Sequence, residues 1–171
     1  MSLHLVDLDS NLVAAWREAF ASCPEVAIDQ ANILQVARDC LVSPANSFGY
    51  MDGGIDAAYR DFFGPEIEHR VREGISGRPE GHLPIGASLI VRTGHARVRY
   101  LIVAPTMVMP ERVERDNVYR AMRAVLRVST NELLRGKAIY CPGLATGVGG
   151  VAAKVAANEM AAAYRDWKES R

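Results

Sequence analysis

Twice along this chain a short apolar strand signal runs into a glycine-rich turn and then into helical periodicity. The first instance is CLVSPANSFGYMDGGIDAAY, Cys40 to Tyr59, and the second is AIYCPGLATGVGGVAAKVA, Ala138 to Ala156. A helix start leaves its first backbone N–H groups without intrahelical partners, and the peptide dipoles add there, so anions are favoured. Glycine allows positive φ and removes the Cβ that would hold a phosphate away from the main chain. Two such turns in one small chain point to two helix starts aimed at a ligand carrying two phosphates.

Strand and helix signals alternate through the rest of the chain. His4 to Asp7 reads as a short edge strand, and a helix follows with Leu12, Trp16, Ala19 and Phe20 on one face and Ser10 or Asn11 as N-cap. Val26–Ile28 and Cys40–Ser43 read as strands, the latter stopped by Pro44. Helices are expected over Ile55–Phe63 and Glu66–Glu73, divided by Gly64-Pro65, with a glycine- and proline-punctuated loop over Ser76–Gly86. Strands Ala87–Arg92 and Tyr100–Val103 precede a helix from about Asp116, and strand Ala138–Cys141 leads into a last helix carrying Ala152, Ala156, Met160, Ala163 and Trp167. This order predicts an α/β fold, a three-layer α/β/α sandwich around a mainly parallel mixed sheet. In such sheets ligands sit beyond the carboxyl ends of the strands, where both glycine turns fall.

A length of 171 residues, with 49% hydrophobic content and no linker, repeat or low-complexity tract, predicts a single domain spanning 1–171. The zero formal net charge argues against general nucleic-acid or membrane capture by electrostatics. MSLHLVDLDS lacks a signal-peptide pattern, and the apolar runs are too short to cross a bilayer. Cys23, Cys40 and Cys141 have no paired spacing and read as small buried hydrophobes, which suits a reducing, cytoplasmic location. The four histidines share no ligand spacing, so no metal and no cofactor is expected.

The residues around the two turns resemble the macrodomains that bind ADP-ribose. The similarity runs from about Asn32 to Trp167 and is strongest over SPAN…GGID, Ser43 to Asp56. A second matching motif is Pro142 followed by Thr146, Gly147, Val148 and Gly150, and the segment Leu83–Thr106 is similar to the family's middle strands. The resemblance implies that Asn32 and Ile33 lie at the adenine, with Asn32 in place of the family's aspartate. It implies that Asn46 meets the distal ribose and that Gly53, Gly54 and Ile55 face Thr146, Gly147, Val148, Gly149 and Gly150 across the diphosphate. It also places Asp56 where the hydrolytic branch carries an acid. Two departures stand out. Gly149 occupies the place of a frequent aromatic, and Met51 and Asp52 replace glycines in a first loop that is one residue shorter.

Each of these residues also has a plainer reading. An acid in a first helical turn, such as Asp56, favours the macrodipole by about 0.3–1 kcal/mol without chemistry. Asn46 suits a turn after Pro44-Ala45, and Thr146 suits an N-cap. Asp52 beside a diphosphate would repel it and is expected to point outward. Tyr59, Phe62 and Phe63 read as core, whereas Phe48 and Tyr50 sit in the loop itself, and one of them is expected to cover the ligand, supplying the aromatic surface missing at Gly149. The partner expected is therefore ADP-ribose, free or protein-linked. A catalytic pair Asn46 and Asp56 would cleave ADP-ribosyl or acetyl esters, and a reader would bind without turnover. A nicotinamide-dependent oxidoreductase is the rival from another class, because Gly147–Ala152 formally matches G-x-G-x-x-A. That fold needs a further strand with a ribose-binding acid about twenty residues on, and the chain ends at Arg171.

Overall fold

The computed structural model describes residues 1–171. Six strands form one sheet: β1 Ser2–Asp7, β2 Ala27–Gln30, β3 Cys40–Ser43, β4 Leu89–Arg92, β5 Tyr100–Val103 and β6 Ala138–Cys141, in the order β2-β1-β6-β3-β5-β4. All neighbours are parallel except β4 and β5. Six helices complete the chain: α1 Ser10–Ala19, α2 Ile33–Val36, α3 Gly54–Phe63, α4 Glu66–Ser76, α5 Arg115–Val128 and α6 Ala153–Glu169.

The sheet separates two apolar cores. One is built from Leu3, Leu5, Cys40, Val42, Ile102, Ile139 and Cys141 with Trp16 of α1, Met122 of α5 and Met160 of α6. The other joins Val6, Leu41, Leu101, Val103 and Tyr140 to Tyr59 of α3 and to Ile67, Val71 and Ile75 of α4. Successive strand residues supply opposite cores, as the two-residue side-chain period requires of strands covered on both faces. The expected three-layer α/β/α sandwich is what forms.

Three local expectations are corrected. β1 is an interior strand, with β2 on one side and β6 on the other, and the edges belong to β2 and β4. His4 hid this from the sequence: its polar ring occupies a covered face by stacking on Tyr140, its partner on β6, with centroids 4.5 Å apart. The cap of α1 is Asp9, whose Oδ1 accepts from the Asn11 N–H at 2.9 Å, so Ser10 and Asn11 lie inside the first turn. The short α2 was not expected, because four residues carry no helical period; the Asn32 side chain initiates it by accepting from the Leu34 N–H.

No helix is long and apolar enough to cross a membrane. All three cysteines are buried and unpaired, and burial pushes the Cys40 thiol up to about 12, which removes thiolate reactivity.

Candidate functional site

The two glycine turns leave strands that are sheet neighbours. β3 and β6 pair in parallel through Cys40–Ile139 and Leu41–Tyr140, so the chain segments at their carboxyl ends emerge side by side. Between them lies a cavity of about 390 Å³. Gly53, Gly54, Ile55 and Asp56 line one wall and Thr146, Gly147, Val148 and Gly149 the other. A Cβ added at Gly54 would stand 4.0 Å from Val148 Cγ2, so the walls approach within side-chain reach. Gly54 itself has φ +58°, the left-handed region in which glycine is unstrained.

Both walls present main-chain donors. No side chain caps α3, whose N-cap is Gly53, so its first-turn N–H groups are free for a ligand. On the facing wall the N–H groups of Thr146 to Gly149 donate to no protein acceptor, whereas Gly150 N–H bonds Gly147 O and Val151 N–H bonds Ala145 O to hold the turn. Thr146 is not an N-cap: α6 starts at Ala153, with Ala152 as its N-cap and no side-chain hydrogen bond capping it. The second turn is thus a free loop of amides ahead of its helix. Gly150, at φ +68°, lies outside the lining and is covered by the Arg112 guanidinium. Gly149 admits no side chain there, because a Cβ would meet the Ala145 carbonyl oxygen at 2.7 Å. The family's frequent aromatic has no room at that position.

The cavity floor explains Asp56. It sits in the first turn of α3, is 6% exposed, and accepts a 2.6 Å hydrogen bond on Oδ1 from Ser43 Oγ at the end of β3. Burial raises its carboxyl from the ordinary 3.8 to about 7, against the opposing Ser43 bond, which favours the charged form. Burial outweighs the helix start. Below it the Tyr59 hydroxyl donates to Val42 O, and burial also raises that phenol.

Asn46 lines the cavity too, but its amide is largely committed to its own loop. Oδ1 accepts from the Phe48 and Tyr50 N–H groups, and Nδ2 donates to Tyr50 O at 2.9 Å. The turn reading of Asn46 therefore holds alongside its place in the cavity. Tyr50 lines the cavity; Phe48 does not, and faces an adjoining groove instead. Asn32 and Ile33 also lie outside the lining, Asn32 capping α2 and Ile33 buried in the core. Asp52 is exposed at the rim.

Several lining residues escaped the sequence reading. Asp7 ends β1, Asp9 caps α1, and Thr106, Met107 and Pro110 come from the segment after β5. Asp7 joins the walls, accepting from Asp9 N–H on Oδ1 and from Gly143 N–H on Oδ2. The rule that ligands gather at strand carboxyl ends would have found Asp7 had β1 been placed inside the sheet. With Asp52 and Asp56, four acids and no Lys, Arg or His line the cavity. An anion here is bound by amides, not by opposite charge. No group of side chains suited to a metal ion is present.

A mainly parallel sheet covered on both faces, with amide-lined turns meeting at the ends of its central strands, defines an α/β protein with one cavity at its strand ends. The chain belongs to the macro domain family, whose model matches residues 42–160. Among its relatives is an uncharacterized protein of Aquifex aeolicus, 35% identical over 145 residues, covering 84% of this chain and 83% of that one. Similar folds include the macrodomain of Mycobacterium tuberculosis DarG, with a TM-score of 0.69 at 20% identity over 81% of this chain and 88% of that one. A Trypanosoma brucei macrodomain in complex with ADP-ribose has a TM-score of 0.66 at 20% identity, covering 81% and 55% of the two chains.

Proposed function

We propose that this protein binds ADP-ribose, with the diphosphate gripped between Gly53–Asp56 and Thr146–Gly149, and that it hydrolyses ADP-ribosyl esters at the Asp56 end. The observation that carries the binding reading is that two amide-rich walls face each other across one cavity, close enough that a Cβ added at Gly54 would stand 4.0 Å from Val148 Cγ2, with the donors of the second wall unpaired. The T. brucei macrodomain in complex with ADP-ribose supports the choice of ligand. A cavity of about 390 Å³ falls in the range of small-molecule sites.

For hydrolysis, Asp56 serves as general base. Water attacks the anomeric carbon of the distal ribose, the bond from that carbon to the carboxylate oxygen breaks, and the carboxylate leaves with the electron pair. Asp56 takes the proton from water and returns it to solvent. A carboxyl titrating at about 7 is half ionised near neutral pH and a far better base than an ordinary aspartate. Asn46 holds the loop that shapes this end, and one N–H of its Nδ2 remains free to meet the ribose.

Calorimetry with ADP-ribose and AMP tests the binding reading: ADP-ribose binds, and AMP, which spans only part of the clamp, is markedly weaker. Equal affinities would rule out the two-walled clamp. Release of ADP-ribose from a glutamate-modified peptide tests catalysis, with wild type active and Asp56→Ala slower by about 10²–10⁴-fold. Intact binding with no wild-type release would make the protein a reader.

A further inference from the structure

We propose that the C-terminal ends of α5 and α6 form a second anion site, separate from the cavity, that takes a phosphate group, either inorganic phosphate or the phosphomonoester of a small molecule. The inference does not depend on the reading of the cavity. Helix α6 leaves the second wall at Ala153, and Trp167 lies about 20 Å further along its axis. Near the last turns of α5 and α6 is a pocket of about 210 Å³, lined by Arg123, Arg127, Thr130, Trp167, Ser170 and Arg171. Three guanidiniums and no carboxylate line it, the reverse of the cavity with its four acids and no base.

Three observations point to an anion. Nη1 of Arg123 is buried without a hydrogen-bond partner, and a buried donor left unsatisfied is costly. None of the three guanidiniums forms an ion pair. Arg123 and Arg127 stand four residues apart on α5, a spacing that sets like charges side by side and destabilises the helix unless an anion lies between them. The negative end of a helix accounts for Arg127 and Arg171, in or just past the last turns of α5 and α6. It does not account for Arg123, one turn further in.

The donor set favours phosphate over carboxylate. One guanidinium fork satisfies both oxygens of a carboxylate, whereas three can share the three free oxygens of a phosphomonoester. Arg127 spends one donor, from Nη2 to Gly86 O at 2.6 Å, and keeps the rest. The Thr130 and Ser170 hydroxyls donate to Arg127 O and Trp167 O, so the guanidiniums are the donors left for a ligand. The Arg171 guanidinium lies over the Trp167 ring, 4.7 Å from its centroid. A nucleic-acid strand would need a longer basic track, and Asp116, Asp166 and Glu169 interrupt one along these two helices.

Trp167 is the reporter, because the other tryptophan, Trp16, is fully buried in the core. Inorganic phosphate is titrated at about pH 8, where it is a dianion, with ionic strength held constant by chloride. Wild type is expected to show a saturable change in tryptophan emission that Trp167→Phe lacks. Arg123→Gln and Arg127→Gln, each shown by thermal unfolding to be folded, bind about tenfold more weakly or worse. Arg135→Gln, outside the pocket, stays within about twofold of wild type. Glucose 6-phosphate identifies the source: tighter binding than phosphate assigns a phosphomonoester, equal or weaker binding assigns the free ion, and either upholds the site. No emission change with either probe up to about 50 mM overturns the proposal, as does wild-type affinity in both Arg123→Gln and Arg127→Gln. Acetate binding as tightly as phosphate overturns the ligand class, and a ten-nucleotide single strand binding more tightly than both phosphate probes overturns the choice of a small ligand.

Discussion

Asp56 is where residue-scale forces conflict most sharply. Its position in the first turn of α3 and the Ser43 hydrogen bond both favour the carboxylate, while burial favours the acid and prevails, with titration at about 7. The folded protein therefore keeps a proton that the unfolded chain loses near 3.8. Because the folded state binds that proton more tightly, stability from this group is full below about pH 4 and falls as pH rises through about 7, by a few kcal/mol in all. Asp56→Asn, which keeps the acceptor for Ser43, is expected to raise the melting temperature by several degrees at about pH 8 and to change it little at about pH 4. Thermal unfolding followed by circular dichroism at the two pH values checks this; equal shifts would place the carboxyl outside the buried floor. The same proton sets a second expectation. Ester cleavage by the wild type rises as pH passes through about 7 and levels above about 8, so a rate already flat from about pH 5 would exclude Asp56 as the base. The sequence placed Asp56 at a helix start, and its sign there, toward ionisation, was the plain reading. The reversal comes from β3 and Tyr59 closing over it, which no local pattern records.

Among elements, the glycine turns were the legible part, and the reason is local. Strand β3, the break at Pro44, glycine 53 and helix α3 follow one another within a few residues, so propensity and turn chemistry suffice to write them down. The same holds for β5 and β6, whose bounds coincide with the expected ones. Finer assignments within the turns depended on close approach. Gly147 has no neighbour within 4 Å of a would-be Cβ, whereas Gly149 meets the Ala145 carbonyl. The two glycines are therefore expected to respond oppositely. Gly147→Glu folds with near wild-type stability but loses ADP-ribose binding, because bulk and negative charge enter the phosphate space. Gly149→Ala is destabilised by about 1–3 kcal/mol through the forced contact. Urea unfolding and calorimetry separate these effects; retained binding in Gly147→Glu would put the ligand elsewhere. Asn32 shows the opposite case, a residue assigned to adenine by resemblance whose side-chain oxygen caps α2 and which lies outside the cavity lining.

At the scale of the whole molecule, charge and topology separate. Zero net charge, averaged over the whole chain, conceals a cavity lined by four acids and no base. A dianionic ligand held there by amides and opposed by carboxylates should bind no more weakly at about 300 mM salt than at about 50 mM, because screening weakens the repulsion. Titrations across that range check it, and a steep loss of affinity with salt would reveal a cation at the diphosphate. Taken by itself, the sequence determined the alternation of strands and helices, the two glycine turns and the chemistry of their amides, since each is encoded by neighbours along the chain. Only the tertiary structure decided that β6 inserts between β1 and β3, which brings turns nearly a hundred residues apart in sequence to face each other and carries Asp7 into the cavity. The physical reason is that strand order is set by pairings between distant segments and by which faces they bury together, and those energies belong to the assembled sheet, not to any stretch of sequence.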